Sequence, residues 1–352
     1  MELQVSKKIL FLGYDKSETV LIDFVSSKNF DVFHSKDNIA DIFSANIKFD
    51  FLDYALVISF GYRHIIPKSI IEISPPIINL HISMLPYNRG SHPIFWSAYE
   101  CTPSGVSIHS IDEGIDTGPL LYQKEVYIDQ KKNTFHEAHQ ILKQELENLF
   151  ITNFNQIVAG KYPQRRYTSQ GTYHNSWDLP KDFLGWDMNI SSEINRLKKN
   201  LYYREADKND CKDIFNWRND ETTRAMSLFS DFIDYKNHKA WFDTILNDPK
   251  NICLFFEDRL INLKVGIVRF QLYEDMKSAL ISINLSPESR GKNYAKSCLF
   301  NAINFLKLNF KSCKELDAEI KYTNIPSLRT FEGMNFKSVK KTDELLLYKL
   351  VL

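Results

Sequence analysis

The sequence contains no uninterrupted apolar run of about 18 residues, the length that a membrane-spanning helix requires. Its start, Met1 to Lys8, is mostly polar and lacks the apolar stretch of a secretion signal. We therefore expect neither a signal peptide nor a membrane span.

The chain also lacks a net charge, because 44 lysines and arginines balance 44 aspartates and glutamates. Without an overall positive field it has no general means of collecting nucleic acid or an anionic membrane surface. Neither is predicted as a partner, and any anionic ligand must be held by a local site.

Cysteine is scarce, since the 352 residues include only five, at positions 101, 211, 253, 298 and 313. Their number is odd, and they form neither a CxxC pair nor a Cys/His spacing typical of a metal site. We therefore predict reduced thiols in a cytoplasmic protein, and we predict no metal site.

Apolar residues, in contrast, make up 43% of the chain and aromatic residues 13%, which is enough for compact cores. A chain of this length exceeds what one hydrophobic core usually serves, so two folding units of about 150 to 200 residues are predicted.

Apolar runs in the first half predict buried strands with helical segments between them. The run Lys8 to Gly13 ends in glycine, and further strands are predicted at Tyr54 to Ser59, Ile77 to Ile82 and Val106 to Ile111. Between them, Glu18 to Lys28 has apolar residues at helical spacing. This alternation favours an α/β fold with an open, Rossmann-like parallel sheet. No GxGxxG follows the first strand, so nothing supports dinucleotide binding at that turn.

The next segments mark a boundary between domains. A helix is predicted from a cap at Thr134 to Gly160, and the aromatic, proline- and glycine-containing stretch 161–187 is predicted to be rich in loops. We place the first domain at 1–187, with its core at 1–160, then a linker helix at 188–202 and a second domain at 203–352. The second domain is predicted to be α+β with a largely antiparallel sheet, from strands at Ile252–Glu257, Val265–Leu272, Ala279–Leu285 and Leu316–Ile320 and a helix at Tyr294–Leu308.

Polar residues cluster at the end of one predicted strand. Asn79 and His81 are two residues apart, so within a strand they project from the same face. Asp116 follows the next predicted strand on a glycine-flanked loop, and open α/β sheets bind ligands at the carboxyl ends of their strands. An amide, an imidazole and a carboxylate are therefore expected to converge.

Acyl transfer to an amine needs a base, a donor for the oxyanion and a group that holds the base. His81, Asn79 and Asp116 can fill these roles in that order, and none of them needs a metal. Asp116 beside His81 is expected to favour the imidazolium by charge proximity. Either motif alone would be an incidental polar pair or a turn, but the two together with their spaced neighbours are not a coincidence.

The run from Asn79 to Pro86 (NLHISMLP), followed by Asp112 to Gly118 (DEGIDTG), resembles the folate-dependent formyltransferase family. The likeness covers about the first half. It implies that Asn79, His81 and Asp116 are catalytic and that 10-formyltetrahydrofolate is the donor. It also implies a pterin site formed by Phe60, Gly61, Tyr62, Ile65, Ile66, Pro67, Leu85, Arg89, Gly90, Asp112, Glu113, Gly114 and Ile115. The segment Gly171 to His174 is more similar to the sugar-modifying branch than to the tRNA branch.

The run Leu285 to Ala295 (LSPESRGKNYA) joins a predicted strand to a predicted helix, and it resembles the acetyl-CoA loop of the GNAT acetyltransferases. The likeness runs from about Tyr203 to the end of the chain, and it is strongest to the branch that acetylates UDP-4-amino-4,6-dideoxy sugars. Asn293 stands where that family usually has glycine, and Phe331 where many members have a tyrosine that protonates the leaving thiolate. An active acetyltransferase and a domain that only holds a substrate both stay open. The resemblance implies a loop for acetyl-CoA or another anion, formed by Leu285, Arg290, Gly291, Lys292, Asn293, Tyr294, Ala295 and Asn324.

Together the two resemblances imply a cytoplasmic enzyme that formylates the 4-amino group of a nucleotide-linked 4-amino-4,6-dideoxyhexose. A UDP-linked precursor of pseudaminic acid is the expected acceptor, and a homodimer is kept open as the assembly. Two alternative functions fit the same motifs. One is an enzyme of the methionyl-tRNA formyltransferase type, and the other is a bifunctional enzyme whose main activity is sugar N-acetylation.

Overall fold

The structure is a computed structural model that describes residues 8–45, 53–342 and 344–352. Its internal contacts divide the chain into two compact units, Met1–Ile194 and Asn195–Leu352. The domain bounds 1–187 and 203–352 stay predictions. Among the described residues, each helix is too short or too polar to cross a membrane.

The first unit alternates strands and helices. Its described strands are β1 (Lys8–Gly13), β2 (Asp31–Ser35), β3 (Tyr54–Phe60), β4 (Ile77–His81), β5 (Arg89–Gly90), β6 (Gly105–Ser110), β7 (Leu120–Glu125) and β8 (Tyr173–His174). Its described helices are α1 (Leu21–Ser27), α2 (Ile39–Ala45), α3 (Lys68–Ile71), α4 (Pro93–Glu100), α5 (Phe135–Val158) and α6 (Ile190–Lys199), the last of which continues into the second unit.

A six-stranded sheet in the order β2-β1-β3-β4-β6-β7 forms the centre of this unit. The first four strands in that order are parallel, as the apolar runs predicted. Leu10, Val57 and Ile78 on these strands are completely buried, because a parallel sheet is covered on both faces. The predicted α/β class with a parallel-rich sheet is confirmed.

The direction of β6 was predicted wrongly. β6 and β7 run antiparallel to their neighbours. His81, the last residue of β4, pairs with Ser107 near the start of β6, so the chain re-enters the sheet at the end where β4 left it. A parallel strand would need a crossover that returns to the opposite end.

Helix α5 packs against this sheet, and its start was predicted correctly. Thr134 caps it by accepting a hydrogen bond from the Glu137 amide at 3.1 Å, while the Glu137 carboxylate accepts one from the Thr134 amide at 2.8 Å. This reciprocal pair satisfies two amides that would otherwise lack partners at a helix N-terminus. Its buried face includes Leu142, Leu146 and Phe150.

The stretch 161–187 was predicted only as loop, but it contains β8, which pairs in parallel with β5. Two glycines make this contact close. A Cβ on Gly90 would lie 2.3 Å from the carbonyl oxygen of His174, and one on Gly171 would lie 2.0 Å from that of Pro86. Both glycines also have positive φ, so the extension can lie directly on the polypeptide that follows β4.

The second unit is α+β. Its strands are β9 (Tyr202–Glu205), β10 (Asn251–Asp258), β11 (Leu263–Leu272), β12 (Ser278–Leu285), β13 (Glu315–Lys321), β14 (Lys337–Lys341) and β15 (Leu345–Val351). Its other helices are α7 (Cys211–Asn219), α8 (Glu221–Met226), α9 (Tyr235–Asn247), α10 (Tyr294–Asn309) and α11 (Ile325–Glu332). The sheet order is β14-β15-β13-β12-β11-β10-β9, and every neighbouring pair is antiparallel except β12 with β13. The main core of this unit lies between the sheet and α10.

Candidate active site

Strand β4 presents two polar side chains on one face of the sheet. Ile78 and Leu80 are buried, whereas Asn79 and His81 alternate with them and are half-buried. This alternation follows from the two-residue period of a strand. It places the amide and the imidazole side by side at the end of β4, as predicted.

Asp116 reaches the same point from the loop between β6 and β7. Its Oδ1 accepts a hydrogen bond from Nδ2 of Asn79 at 3.1 Å, and its Oδ2 lies 3.5 Å from Nε2 of His81. The amide of Gly90 donates to Oδ2 at 2.9 Å. The three residues that the sequence singled out therefore lie together, although β6 runs antiparallel and the loop must fold back to bring Asp116 there.

His109 on β6 is a fourth member of this cluster and was missed from the sequence. Its Nε2 lies 3.3 Å from Oδ1 of Asp116 and 3.2 Å from Nδ2 of Asn79. Its Nδ1 lies 2.8 Å from the carbonyl oxygen of Ser110, so in the neutral ring Nδ1 carries the proton and Nε2 accepts. A signal was present, because Ser107 and His109 alternate with apolar residues as Asn79 and His81 do.

Burial dominates the electrostatics of His81. It lowers the pKa of the imidazole and outweighs the opposite effect of Asp116, while His109 lowers the pKa further. Asp116 does favour the imidazolium, as expected, but the cost of desolvating a cation exceeds the gain from one carboxylate at 3.5 Å. The buried Nε2 of His81 has no hydrogen-bond partner among the described residues.

Asp116 behaves in the opposite way. Burial on its own raises the pKa of the carboxyl group, but His81, His109 and the amide of Gly90 together hold it well below its usual range. The site therefore combines a permanent carboxylate with a neutral imidazole. This combination suits a group that must take up a proton during a reaction and be held in orientation while it does so.

The chain after His81 is fixed from the neighbouring strands. Ser107 donates to the carbonyl of Ser83 at 2.7 Å, and Gln123 donates to the carbonyl of Leu85 at 2.8 Å. The amide of Leu85 in turn donates to the hydroxyl of Ser107 at 3.3 Å. These contacts hold the segment that contains the predicted residue Leu85, which is buried.

The predicted pterin residues fall on three segments, and an ion pair connects the first of them to the last. Lys68, directly after the run from Phe60 to Pro67, lies 2.6 Å from Glu113 in the run from Asp112 to Ile115. Ile65 and Ile115 expose 75% and 41% of their surface. Phe60 and Ile66 are buried.

Several other members of the predicted set make internal contacts. The hydroxyl of Tyr62 accepts from the amide of Ile39 and donates to the carbonyl of Asp37, each at 2.8 Å. Asp112 accepts from the amide of Gly114 at 3.1 Å and from the hydroxyl of Thr117 at 2.6 Å. These two residues therefore shape the segments that carry them.

Two polar atoms near Asp116 are buried without a hydrogen-bond partner among the described residues. They are Nε of Arg89 and the hydroxyl of Tyr167, a residue of the 161–187 extension that was not singled out from the sequence. Burial raises the pKa of Tyr167, and the charges of Asp116 and Asp112 raise it further, so its hydroxyl stays protonated. Unpaired buried donors are costly and are commonly satisfied by a ligand or by water.

In the second unit, the predicted loop joins β12 to α10. Gly291 and Asn293 have φ values of +74° and +65°. Asn293 therefore adopts the left-handed conformation that favours glycine, the residue that the GNAT family usually has at this position. Arg290 does not point to open space, because its guanidinium donates to Asp220 at 2.5 Å and to Thr223 at 2.7 Å. Tyr294 is buried, and the side chain of Asn324 caps α11 through the amide of Ser327 at 3.2 Å. Phe331 is also buried and packs on Phe336, with ring centroids 5.0 Å apart.

Comparison with known proteins matches each half to a family. The model described as "Formyl transferase" matches residues 23–153, and the model described as "Acetyltransferase (GNAT) domain" matches residues 200–337.

No group of three or more histidine, cysteine, aspartate or glutamate residues within the described part of the chain is arranged to hold a metal ion.

Three relatives illustrate the first match. The formyltransferase PseJ from Anoxybacillus kamchatkensis, solved with UDP-4,6-dideoxy-4-formamido-L-AltNAc and tetrahydrofolate, is 35% identical over 54% of this chain and 98% of its own, with a TM-score of 0.47. A methionyl-tRNA formyltransferase from Thermodesulfovibrio yellowstonii is 33% identical over 43% of this chain and 48% of its own. The dTDP-4-amino-4,6-dideoxyglucose formyltransferase of Mycobacterium bovis is 31% identical over 37% and 53%.

The N-terminal family match and the 35% identity across nearly the whole of a relative agree with the motifs of the cluster. The chain belongs to the formyl transferase family and carries a GNAT acetyltransferase domain in its C-terminal half. It spans about half the length of the curated methionyl-tRNA formyltransferases that it matches.

Proposed function

We propose that the first unit transfers the formyl group of 10-formyltetrahydrofolate to the 4-amino group of a nucleotide-linked 4-amino-4,6-dideoxyhexose. The observation that carries this proposal is the buried, unpartnered Nε2 of His81, held beside Asp116 and Asn79. A neutral imidazole nitrogen without a partner is poised to accept a proton. The membership of the chain in the formyl transferase family supplies the type of reaction.

In the proposed mechanism, the nitrogen of the acceptor amine attacks the formyl carbon, and the carbonyl electron pair moves to the oxygen. His81 takes the proton that the amine loses, and Asn79 redirects an amide hydrogen from the cluster to this oxygen. Collapse of the intermediate breaks the bond to N10 of the folate, which receives the proton from His81. Asp116 stabilises the transient imidazolium. Groups of these types contribute about 100- to 10,000-fold each to such reactions.

We also propose that the donor's pterin lies between the segments that contain Ile65 and Ile115. Both side chains are exposed and apolar, and the contact between Lys68 and Glu113 brings their segments together. A flat heteroaromatic ring would cover this apolar surface and gain from its burial. The tetrahydrofolate in the PseJ complex is consistent with this class of donor.

The acceptor assignment is supported by the second unit and by two relatives. PseJ was crystallised with a UDP-linked 4-formamido-4,6-dideoxy sugar. The Mycobacterium bovis enzyme is named for a dTDP-linked 4-amino-4,6-dideoxy sugar. A GNAT domain joined to a formyl transferase is consistent with a shared sugar amine. We propose a UDP-linked precursor of pseudaminic acid as the acceptor, and a homodimer as the assembly.

The purified chain, incubated with 10-formyltetrahydrofolate and a panel of UDP- and dTDP-linked amino sugars, tests this proposal. We expect tetrahydrofolate release with a 4-amino sugar, and a loss of at least about 1,000-fold in kcat for His81→Asn. The matched control is His136→Asn, because His136 is exposed on α5 and remote in sequence from the cluster. Turnover confined to amines that are not sugars would refute the acceptor assignment.

A methionyl-tRNA formyltransferase is the second candidate, because several relatives carry that name. Such an acceptor calls for a positively charged surface, whereas lysine plus arginine and aspartate plus glutamate are equal at 44 each. Filter binding with formylation-competent tRNA separates the two candidates. We expect no saturable binding at physiological salt, and tight salt-dependent binding would favour the tRNA acceptor.

An enzyme that mainly acetylates sugars is the third candidate, and it rests on the GNAT match. We propose that the second unit binds the nucleotide sugar or acetyl-CoA, and the burial of Phe331 supports a binding role because no hydroxyl stands at that position. If acetylation dominates, His81→Asn leaves the main activity unchanged. Acetyl-CoA turnover measured beside formyl transfer in the same variant decides this.

The cytoplasm is the proposed location. All five cysteines lie in the described residues, none forms a disulfide, and four of them are buried. Free buried thiols suit a reducing compartment. Fractionation of cells that express the tagged chain checks this, and recovery in an oxidising compartment would contradict it.

A further inference from the structure

A buried contact between a carboxylate and an imidazole lies beside the cluster and takes no part in the mechanism above. Oε1 of Glu100, the last residue of α4, lies 3.0 Å from Nε2 of His174 in β8, and each side chain is about 10% exposed. The ring of His174 also stacks on the indole of Trp96, with centroids 3.7 Å apart and planes 6° apart. The pair joins the core of the unit to the 161–187 extension.

The second oxygen of the Glu100 carboxylate has a different partner. Oε2 accepts a hydrogen bond from Nδ2 of Asn88 at 3.2 Å, and the hydroxyl of Thr102 donates to Oδ1 of Asn88 at 2.7 Å. Asn88 is 1% exposed and has a φ of +55°, a conformation that asparagine tolerates better than most residues. Glu100 thus holds Asn88 and His174 at the same time.

The backbone next to Asn88 is held by the extension as well. The amide of Asn88 donates to the hydroxyl of Thr172 at 2.8 Å, and the amide of Arg89 donates to the carbonyl of Thr172 at 3.0 Å. The amide of Ser91 donates to the carbonyl of His174 at 2.9 Å. The segment 88–91 is therefore fixed on both sides, by Glu100 through a side chain and by β8 through the backbone.

This segment is the one that supports the cluster. The backbone of Asn88 makes a hydrogen bond with the imidazole of His81, and the amide of Gly90 donates to Asp116 at 2.9 Å. His81 and Asp116 are thus each held by one residue of the same short segment. A displacement of the segment moves both supports together.

We propose that Glu100 and His174 are positioning residues for formyl transfer, which hold the segment from Asn88 to Gly90 and through it the orientation of His81 and Asp116. The inference rests on the proposed function of the cluster. Neither residue contacts the reacting atoms. A misplacement of about 1 Å in a catalytic group lowers a rate about 100-fold, so their loss lowers kcat.

His174→Phe is the principal test, because phenylalanine keeps the ring on Trp96 and removes the nitrogen that faces Glu100. We expect kcat for formyl transfer to fall about 10- to 100-fold. Glu100→Gln keeps an acceptor for Asn88 and should retain most of kcat, whereas Glu100→Ala should behave like His174→Phe. If His174→Phe does not fold, Thr102→Val, which removes the donor to Asn88, takes its place.

A stability control separates positioning from a structural role. Phe150→Leu weakens the α5 core without touching the segment, so its kcat at a temperature where it is folded should equal that of the wild type. Wild-type kcat in His174→Phe, or an equal fall in Phe150→Leu, overturns the proposal.

The signals of the His81 ring in NMR give a readout that does not depend on turnover. Their titration midpoint is expected to move in His174→Phe and to stay in Phe150→Leu, and an unmoved midpoint in His174→Phe overturns the inference. A wild-type chain without formyl transfer to any amine refutes the proposed function instead. The ring signals then still decide whether Glu100 and His174 hold His81.

Discussion

Nε2 of His109 lies 3.3 Å from Oδ1 of Asp116, the carboxylate oxygen that does not face His81. Asp116 therefore stands between two imidazoles, and each helps to keep its carboxyl group ionised. His109 also lowers the pKa of His81. Both imidazoles therefore act on the carboxylate, and one of them also acts on the other.

Replacement of His109 by glutamine tests this relationship. His109 lowers the pKa of His81, so its replacement by an uncharged amide should raise that pKa and move the pH midpoint of kcat upward. We expect kcat on the high-pH plateau to fall about tenfold, because Asp116 and Asn79 lose a partner. A pH–rate series from 5 to 9 measures both effects, and an unmoved midpoint would show that His109 does not sense the charge of His81.

The pH dependence of the wild type follows from the neutral state of His81. Burial holds the pKa of His81 below its ordinary value of about 6.5, and the base acts only when it is unprotonated. Formyl transfer should therefore rise with pH to a midpoint below about 6.5 and then stay level. Asp116 raises this pKa, so Asp116→Asn should move the midpoint further down, opposite to His109→Gln. Midpoints that shift in the same direction would contradict this electrostatic account.

Gly90→Ala should lower the stability of the first unit. The added Cβ would lie 2.3 Å from the carbonyl of His174, at a φ of +86° that disfavours alanine. We expect a loss of about 2 to 4 kcal/mol in the free energy of unfolding and no measurable formyl transfer. Gly160→Ala is the control, since Gly160 has a φ of +65° with nothing within 4 Å, and strain alone costs about 1 kcal/mol. Urea-induced unfolding compares the two, and equal losses would mean that the contact with β8 is unimportant.

Tyr167→Phe should affect the acceptor rather than the donor. The hydroxyl of Tyr167 is buried near Asp116 and has no hydrogen-bond partner among the described residues. If it donates to the acceptor, its loss raises KM for the amino sugar about 10-fold, the value of one hydrogen bond to a polar ligand. KM for 10-formyltetrahydrofolate should not change. Tyr173→Phe, in an exposed ring of the same extension, serves as the control. Equal KM values for the sugar in both variants would exclude the hydroxyl from acceptor recognition.

Much of the first fold was predictable because its signals are local. The apolar runs of β1, β3 and β4 and the cap of α5 at Thr134 are contained in a few consecutive residues, and the structure has these elements where they were predicted. Strand β2 (Asp31–Ser35) was missed, because it is half-exposed and its sequence mixes polar and apolar residues. The short pairing of β5 with β8 was missed too, since 82 residues lie between the two strands.

The site was predictable in part for the same reason. Asn79 and His81 share a strand, so their alignment follows from the strand period alone. The position of His109 depends on the antiparallel register that pairs it with Asn79, and register is decided by the whole sheet. The state of His81 depends on burial, which the charge of Asp116 in the sequence could not reveal.

The contact between Lys68 and Glu113 has a further consequence for the binding of folate. Both side chains are more than half exposed, at 59% and 64%, so water and salt compete for their charges and the bond contributes little to folding. This ion pair connects the two segments that we propose to flank the pterin. Breaking it when folate binds should therefore cost little free energy. The imidazoles and the carboxylate of the cluster, in contrast, are largely buried, so water and salt compete much less for their charges.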